Sequence, residues 1–181
     1  IIILGLESAR QAVASLKKGR RIEELEQFAL NDSMTGFYNR NAYDYFIYNE
    51  KNIKNYMVVT FDLNNLKMCN DNYGHSSGDA YIIHSAHIIE TTFDRFGKCY
   101  RIGGDEFCCL IPDAAEFQIE RFIQKMQQDI AILNNKNIIP TEVGIACGYA
   151  LATPDDADIE KVRERADEMM YHNKKVLKGL I

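Results

Sequence analysis

The sequence predicts an α/β sandwich of the α+β kind, with a mostly antiparallel central sheet of about five strands flanked by helices. Three observations carry this. Residues 56–63, Tyr-Met-Val-Val-Thr-Phe-Asp-Leu, form a β-branched, apolar run that reads as a strand. Two further apolar runs, 99–102 and 107–111, are split only by Gly103-Gly104-Asp105-Glu106 and read as a β-hairpin with a tight turn. Around these runs lie segments whose apolar residues recur at helical spacing, giving the order helix, strand, helix, hairpin, helix, strand, helix.

Residues 6–30 begin that order as a linker helix. Leu6, Ala9, Val13 and Leu16 share one stripe, and Ile22, Leu25 and Ala29 another, out of phase across Lys17-Lys18-Gly19-Arg20-Arg21. Each stripe is too short to specify a coiled coil, so pairing with a second copy stays open. The expected division is a signalling or linker helix over 1–30 and a catalytic domain over 31–181, with an input domain upstream. Residues 32–40 carry Asp, Ser, Thr, Gly and Asn in close order and read as a loop. A helix rich in Tyr and Phe follows over 41–49, its aromatics expected in the core.

The strand at 56–63 runs into a polar, glycine-punctuated passage over 64–79 that reads as a loop rich in donors and acceptors. Helix is expected to resume over 80–93, with Ile82, Ile83, Ala86 and Ile89 on one face. His84 and His87 lie on it without a carboxylate or cysteine near them in sequence, a poor zinc site. After the hairpin, 114–133 reads as an amphipathic helix with Phe117, Phe122, Ile123, Met126, Ile130 and Leu133 inward. A strand over 143–150 and a final helix to about Leu177 complete the chain.

Composition bounds the function. The 181 residues suffice for one domain with a full core plus a short extension. Hydrophobic content of 46% and charged content of 26% are those of a globular protein. A net charge of −5 argues against a nucleic-acid surface and means that a phosphorylated ligand needs local cations. Cys69, Cys99, Cys108, Cys109 and Cys147 are odd in number, lack C-x-x-C spacing and read as reduced core thiols. Cys108 and Cys109 adjoin in a strand and should face opposite ways. No apolar run approaches the ~20 residues of a membrane span, and a cytoplasmic setting is expected.

Two features carry chemistry. Asp62 ends a buried strand, which is costly unless the carboxylate is paired or metal-bound. In the hairpin, two glycines able to take positive φ precede two adjacent, mutually repelling carboxylates. That turn is a plausible cradle for a phosphate and its metal ion, although Gly, Asp and Glu are also ordinary turn residues. Lys174, Lys175 and Lys178 could serve a phosphate or simply suit the helix C-terminus.

Four motifs in order resemble the GGDEF domain of diguanylate cyclases, bacterial enzymes that join two GTP molecules into cyclic di-GMP. Residues 32–40 look like the opening D-x-L-T-G-L-x-N-R. Phe61-Asp62 through Asn70-Asp71, with Tyr73-Gly74-His75 and Gly78-Asp79, look like the central F-D-x-D-x-F-K-x-x-N-D-x-x-G-H-x-x-G-D. Gly103 to Phe107 is the name-giving pentapeptide unaltered, and Ala166-Asp167 with Tyr171-x-x-Lys174 resembles the closing motif. The resemblance covers about 31–178.

It implies a nucleotidyl-cyclase-like fold, a homodimer with one GTP per subunit, and two Mg²⁺ per active site, with Mn²⁺ as an alternative. The implied metal ligands are Asp62, the Leu63 carbonyl, Asp105 and Glu106. Asp105, Glu106 and Lys67 are the implied catalytic groups. Gly103, Gly104, Lys174 and Lys178 would take the triphosphate, and Asn70, His75 and Asp79 the guanosine. Asn64 and Leu66 depart from the usual Asp and Phe, and Leu177-Lys178 from the usual Gly-Arg. An inactive GTP-binding regulatory module is the alternative function.

Overall fold

The strand that anchors the molecule is β1, Met57–Asn64, whose eight residues are all buried. A strand buried on both faces must be covered on both, and its two sets of alternating side chains divide the core. Val59, Phe61 and Leu63 join one apolar cluster, while Val58 joins the other with Cys108 and Leu110. The protein is described here by a computed structural model covering residues 29–177. The linker helix expected over 6–30 lies outside the described residues except for its last two positions, and Lys178 lies outside them too.

After α1 (Arg40–Asn49) and β1 come α2 (Leu66–Tyr73), α3 (His75–Phe93), β2 (Lys98–Arg101) and β3 (Glu106–Ile111). A 3₁₀ turn at Ala114–Glu116 leads into α4 (Ile119–Asn135), β4 (Gly144–Leu151) and α5 (Ile159–Leu177). The strand order is β2-β3-β1-β4, and every pairing is antiparallel. Four strands among the described residues, flanked by helices, meet the expected architecture of about five.

On one face, Ile82, Ala86, Ile89 and Phe93 of α3 and Met126 and Leu133 of α4 pack on β1. On the other, Tyr43 of α1 and Ile159, Val162 and Ala166 of α5 pack on Val58, Cys108 and Ala150. The six apolar residues expected inward between 117 and 133 all pack against the first cluster. All five cysteines are free and buried, and Cys108 and Cys109 do fall in opposite clusters.

Three local expectations are corrected. The passage 64–79 is mostly helix, since α2 starts at Leu66 and α3 at His75 rather than at 80. The 8-residue α2 is too short to persist alone, so its packing against α3 stabilises it. Ile83 is 46% exposed, and Ser85, Ile88 and Thr92 complete the inward face in its stead. In α1, Tyr43 is buried, but Tyr45 and Tyr48 face solvent.

Candidate active site

Asp62 and Asp105 come together where the end of β1 meets the start of β3. Asp62 sits near the end of β1, paired across to Glu106 on β3 and Ala146 on β4. The connection 102–105 closes when the Glu106 carbonyl accepts from the N–H groups of Ile102 (2.9 Å) and Gly103 (3.3 Å). The Leu63 N–H donates to the Asp105 carbonyl at 3.0 Å, drawing the turn against the end of β1. Leu63, Lys67, Asp105 and Lys174 then line a cleft of about 480 Å³.

The glycines of this turn do not use the conformational freedom expected of them. Among the described glycines only Gly36 and Gly74 have positive φ. What matters is space. A Cβ on Gly103 would come within 3.0 Å of Glu106 Oε2, while one on Gly104 would meet nothing within 4 Å. The Gly104 backbone is therefore open to close approach by a ligand.

Asp62 is tied to the cleft through Lys174, which lines it. Its Oδ1 lies 2.6 Å from Lys174 Nζ, with the two side chains 11% and 25% exposed. The contact lacks hydrogen-bond geometry, and Oδ1 is buried without a hydrogen-bond partner. A carboxylate oxygen left in that condition is stabilised chiefly by positive charge. α5 is brought there by Asn173, whose Oδ1 accepts from the Cys147 N–H at 3.1 Å. Cys147 adjoins Ala146, the cross-strand partner of Asp62, so the next residue of the helix, Lys174, meets Asp62.

Lys67 is exposed on the first turn of α2 and lines the same cleft. Asn65 starts that helix in the left-handed region, φ 62°, which asparagine tolerates better than most residues. Buried Tyr81 of α3 secures the end of β1: its hydroxyl donates to the Asn64 carbonyl at 2.5 Å and accepts from the Gly144 N–H at 2.7 Å. Burial pushes the Tyr81 phenol up to about 12, so it stays a neutral donor.

Asn70, His75 and Asp79 are not part of that cleft's wall. They lie where α2 meets α3. The Asn70 carboxamide packs on Gly78, where any Cβ would collide with it, and so is held beside Asp79. Asp79 and His75 are both exposed.

Two residues of the turn's support escaped the reading of the motifs. Arg101 Nη1 donates to Asp32 Oδ1 and Oδ2 at 3.1 and 3.2 Å, and Nη2 to the Gly104 carbonyl at 2.9 Å. The opening motif thus braces the hairpin turn. Desolvation pushes the Asp32 carboxyl upward, but hydrogen bonds from Thr35 and Arg101 outweigh it and hold the group below its ordinary value. The signal available in sequence was the Arg directly preceding the turn, two residues before Gly103.

Asp62, Asp105 and Glu106 do not close into a three-carboxylate metal cage among the described residues. The donor set nevertheless suits Mg²⁺, which takes one or two carboxylates and completes its shell with water and substrate phosphates. The Asp62 oxygen, held by the Lys174 ammonium and by no hydrogen bond, is the position that a cation would satisfy.

The antiparallel sheet and its flanking helices make this a cyclase-like fold, with a site suited to a phosphorylated ligand. The family model described as "Diguanylate cyclase, GGDEF domain" matches residues 29–178, and the chain belongs to that family. It is 31% identical over 157 residues to diguanylate cyclase DgcN of Escherichia coli (strain K12), covering 83% of this chain and 38% of that protein. It is 26% identical over 168 residues to diguanylate cyclase DgcS of Shewanella oneidensis, covering 88% of this chain and 54% of that one. The chain therefore spans about half or less of these relatives. In fold it resembles the coiled coil and GGDEF domain of DgcB from Caulobacter crescentus, solved in complex with c-di-GMP. That match has a TM-score of 0.77 and 23% identity over 93% of this chain and 94% of that one. Among the described residues no helix is long and apolar enough to cross a membrane.

Proposed function

We propose that this domain is an active diguanylate cyclase, which condenses two GTP into cyclic di-GMP and two pyrophosphates as a homodimer in the cytoplasm. The observation that carries the reading is the buried Asp62 oxygen, unsatisfied by any hydrogen bond, opposite an intact Gly-Gly-Asp-Glu turn with Lys67 and Lys174 on the same cleft. Relatives named as diguanylate cyclases support it.

In the reaction, the 3′-OH oxygen of one GTP bonds to the α-phosphorus of the other. The bond to the β-phosphate bridging oxygen breaks, and pyrophosphate leaves with that electron pair. A second, reciprocal attack closes the ring. Each subunit presents one GTP, so two cleft faces must meet. Asp62, Asp105, Glu106 and the Leu63 carbonyl would hold two Mg²⁺ ions, or Mn²⁺, which supply charge to the phosphates and acidify the attacking hydroxyl. Asp105 accepts the hydroxyl proton. Lys67, Lys174 and Lys178 offset the triphosphate charge that an acidic protein would repel, and the open backbone at Gly104, next to Gly103, lets phosphate oxygens approach. Asp79 accepts from the guanine N1–H and 2-amino group and Asn70 bonds to the same base, with His75 beside the nucleoside. An upstream sensory domain supplies the signal.

The test is incubation of purified protein with GTP and Mg²⁺, with products resolved by chromatography. Cyclic di-GMP and pyrophosphate in a 1:2 ratio are expected. GTP binding without turnover would instead favour a regulatory module.

A further inference from the structure

Resting on the reading that Asp62 ligates the divalent cation, we infer that Lys174 is a placeholder for that cation. Its ammonium holds Asp62 before substrate binds, then transfers to the triphosphate when metal and nucleotide enter together. The contact joins Nζ to Oδ1, the carboxylate oxygen with no other partner. An ammonium and a divalent cation compete for that oxygen, because they repel each other at contact distance. Both side chains are largely shielded from water, so neither charge is easily given up without a replacement.

The handover needs a helix that stays and a side chain that moves. Asn173 pins the α5 backbone to β4 through the Cys147 N–H, while lysine has a flexible four-carbon stem. Lys174 also lines the cleft shared by Lys67 and Asp105, so a triphosphate lying there falls within its reach. Metal entering alone must displace the ammonium with nothing to receive it. Metal entering with nucleotide brings the anion that takes it. Binding is therefore ordered toward the metal–nucleotide complex, and stray divalent cations are held off.

This predicts effects of opposite sign for one substitution. Mn²⁺ binding is followed by electron paramagnetic resonance on the native protein, Lys174→Met, Lys174→Arg and Asp62→Asn, with and without a non-hydrolysable GTP analogue. Without nucleotide, Lys174→Met should bind Mn²⁺ about tenfold tighter than native, equivalent to ~1.4 kcal/mol. With the analogue, it should bind the Mn²⁺ complex about tenfold weaker, because the triphosphate loses its ammonium. Lys174→Arg keeps the charge and should stay near native without nucleotide. Methionine preserves the apolar stem, and Lys174→Gln provides the same readout should Lys174→Met misfold. Equal affinity of native and Lys174→Met for Mn²⁺ alone overturns the inference while leaving the metal site standing. Failure of every variant to bind Mn²⁺, with Asp62→Asn no different from native, overturns the metal reading and this inference with it.

Discussion

Arg101 holds Asp32 across 69 residues of chain, with Nη1 3.1 Å from Oδ1, and its other nitrogen takes the Gly104 carbonyl. One side chain thereby joins the loop before α1 to the turn that carries Asp105. The pair is largely shielded, with side chains 12% and 23% exposed.

Arg101→Ala should destabilise the fold by ~1–3 kcal/mol, read by thermal or urea unfolding, since it strips charged hydrogen bonds from a shielded carboxylate. Activity should fall further than stability explains, because the turn loses its brace. Wild-type turnover in this variant would show that the brace is dispensable.

Asp32 also predicts an acid dependence. Its folded carboxyl titrates below the ordinary value of 3.8, so the pair's stabilisation is complete above that value and is lost as pH falls through the folded pKa. Denaturation curves between about pH 5 and about pH 2 should differ less between Asp32→Asn and native as pH drops. A constant difference across the range would contradict this.

Asp105→Asn should fold normally and lose turnover by at least about 10²–10³-fold, since a neutral amide binds hard cations poorly and cannot take the hydroxyl proton. Circular dichroism checks the fold and pyrophosphate release the rate. Substantial cyclase activity would remove Asp105 from its assigned role.

GTP should be preferred over ATP through Asn70 and Asp79. Adenine lacks the N1–H and 2-amino donors that a carboxylate accepts. Because Asp79 is exposed, the discrimination should be modest, ~1–3 kcal/mol, instead of the larger cost of an unpaired buried acceptor. Asp79→Ser should narrow it. Competition assays with mixed nucleotides measure the ratio, and equal incorporation of ATP would refute the assignment.

Feedback by product should be weak. The family resemblance implies a product-binding R-x-x-D separated from the pentapeptide by the five residues 98–102, where this chain has Asp94-Arg95-Phe96-Gly97. Asp94 would repel phosphates, and the Arg95 guanidinium lies over the Phe96 ring, 4.6 Å from its centroid. Gly97 cannot become the missing Asp without cost, because any Cβ there collides with the Leu110 carbonyl. Gly97→Asp should cost ~1–3 kcal/mol of stability and create no site. Calorimetry with cyclic di-GMP, the active site filled by a GTP analogue, should show no tight binding. Micromolar binding that vanishes in Arg95→Ala would be the contrary result.

The strands were legible in the sequence. The apolar run of β1, the hairpin and the inward stripe of α4 depend on neighbours along the chain, and local periodicity reports them. The candidate site residues were proposed from their types, hard oxygens suiting a cation and lysines a phosphate. What the sequence left out was settled by contacts between distant segments. Helix α2 was hidden in a polar passage because packing on α3, not propensity, holds it. Ile83 points outward because the sheet lies beneath Ile82, Ala86 and Ile89. The meetings of Lys174 with Asp62 and of Arg101 with Asp32 arise from strand register and helix docking, and no local pattern encodes them. Each costs chain entropy that only the assembled core can offset, so they exist only once the tertiary structure has formed.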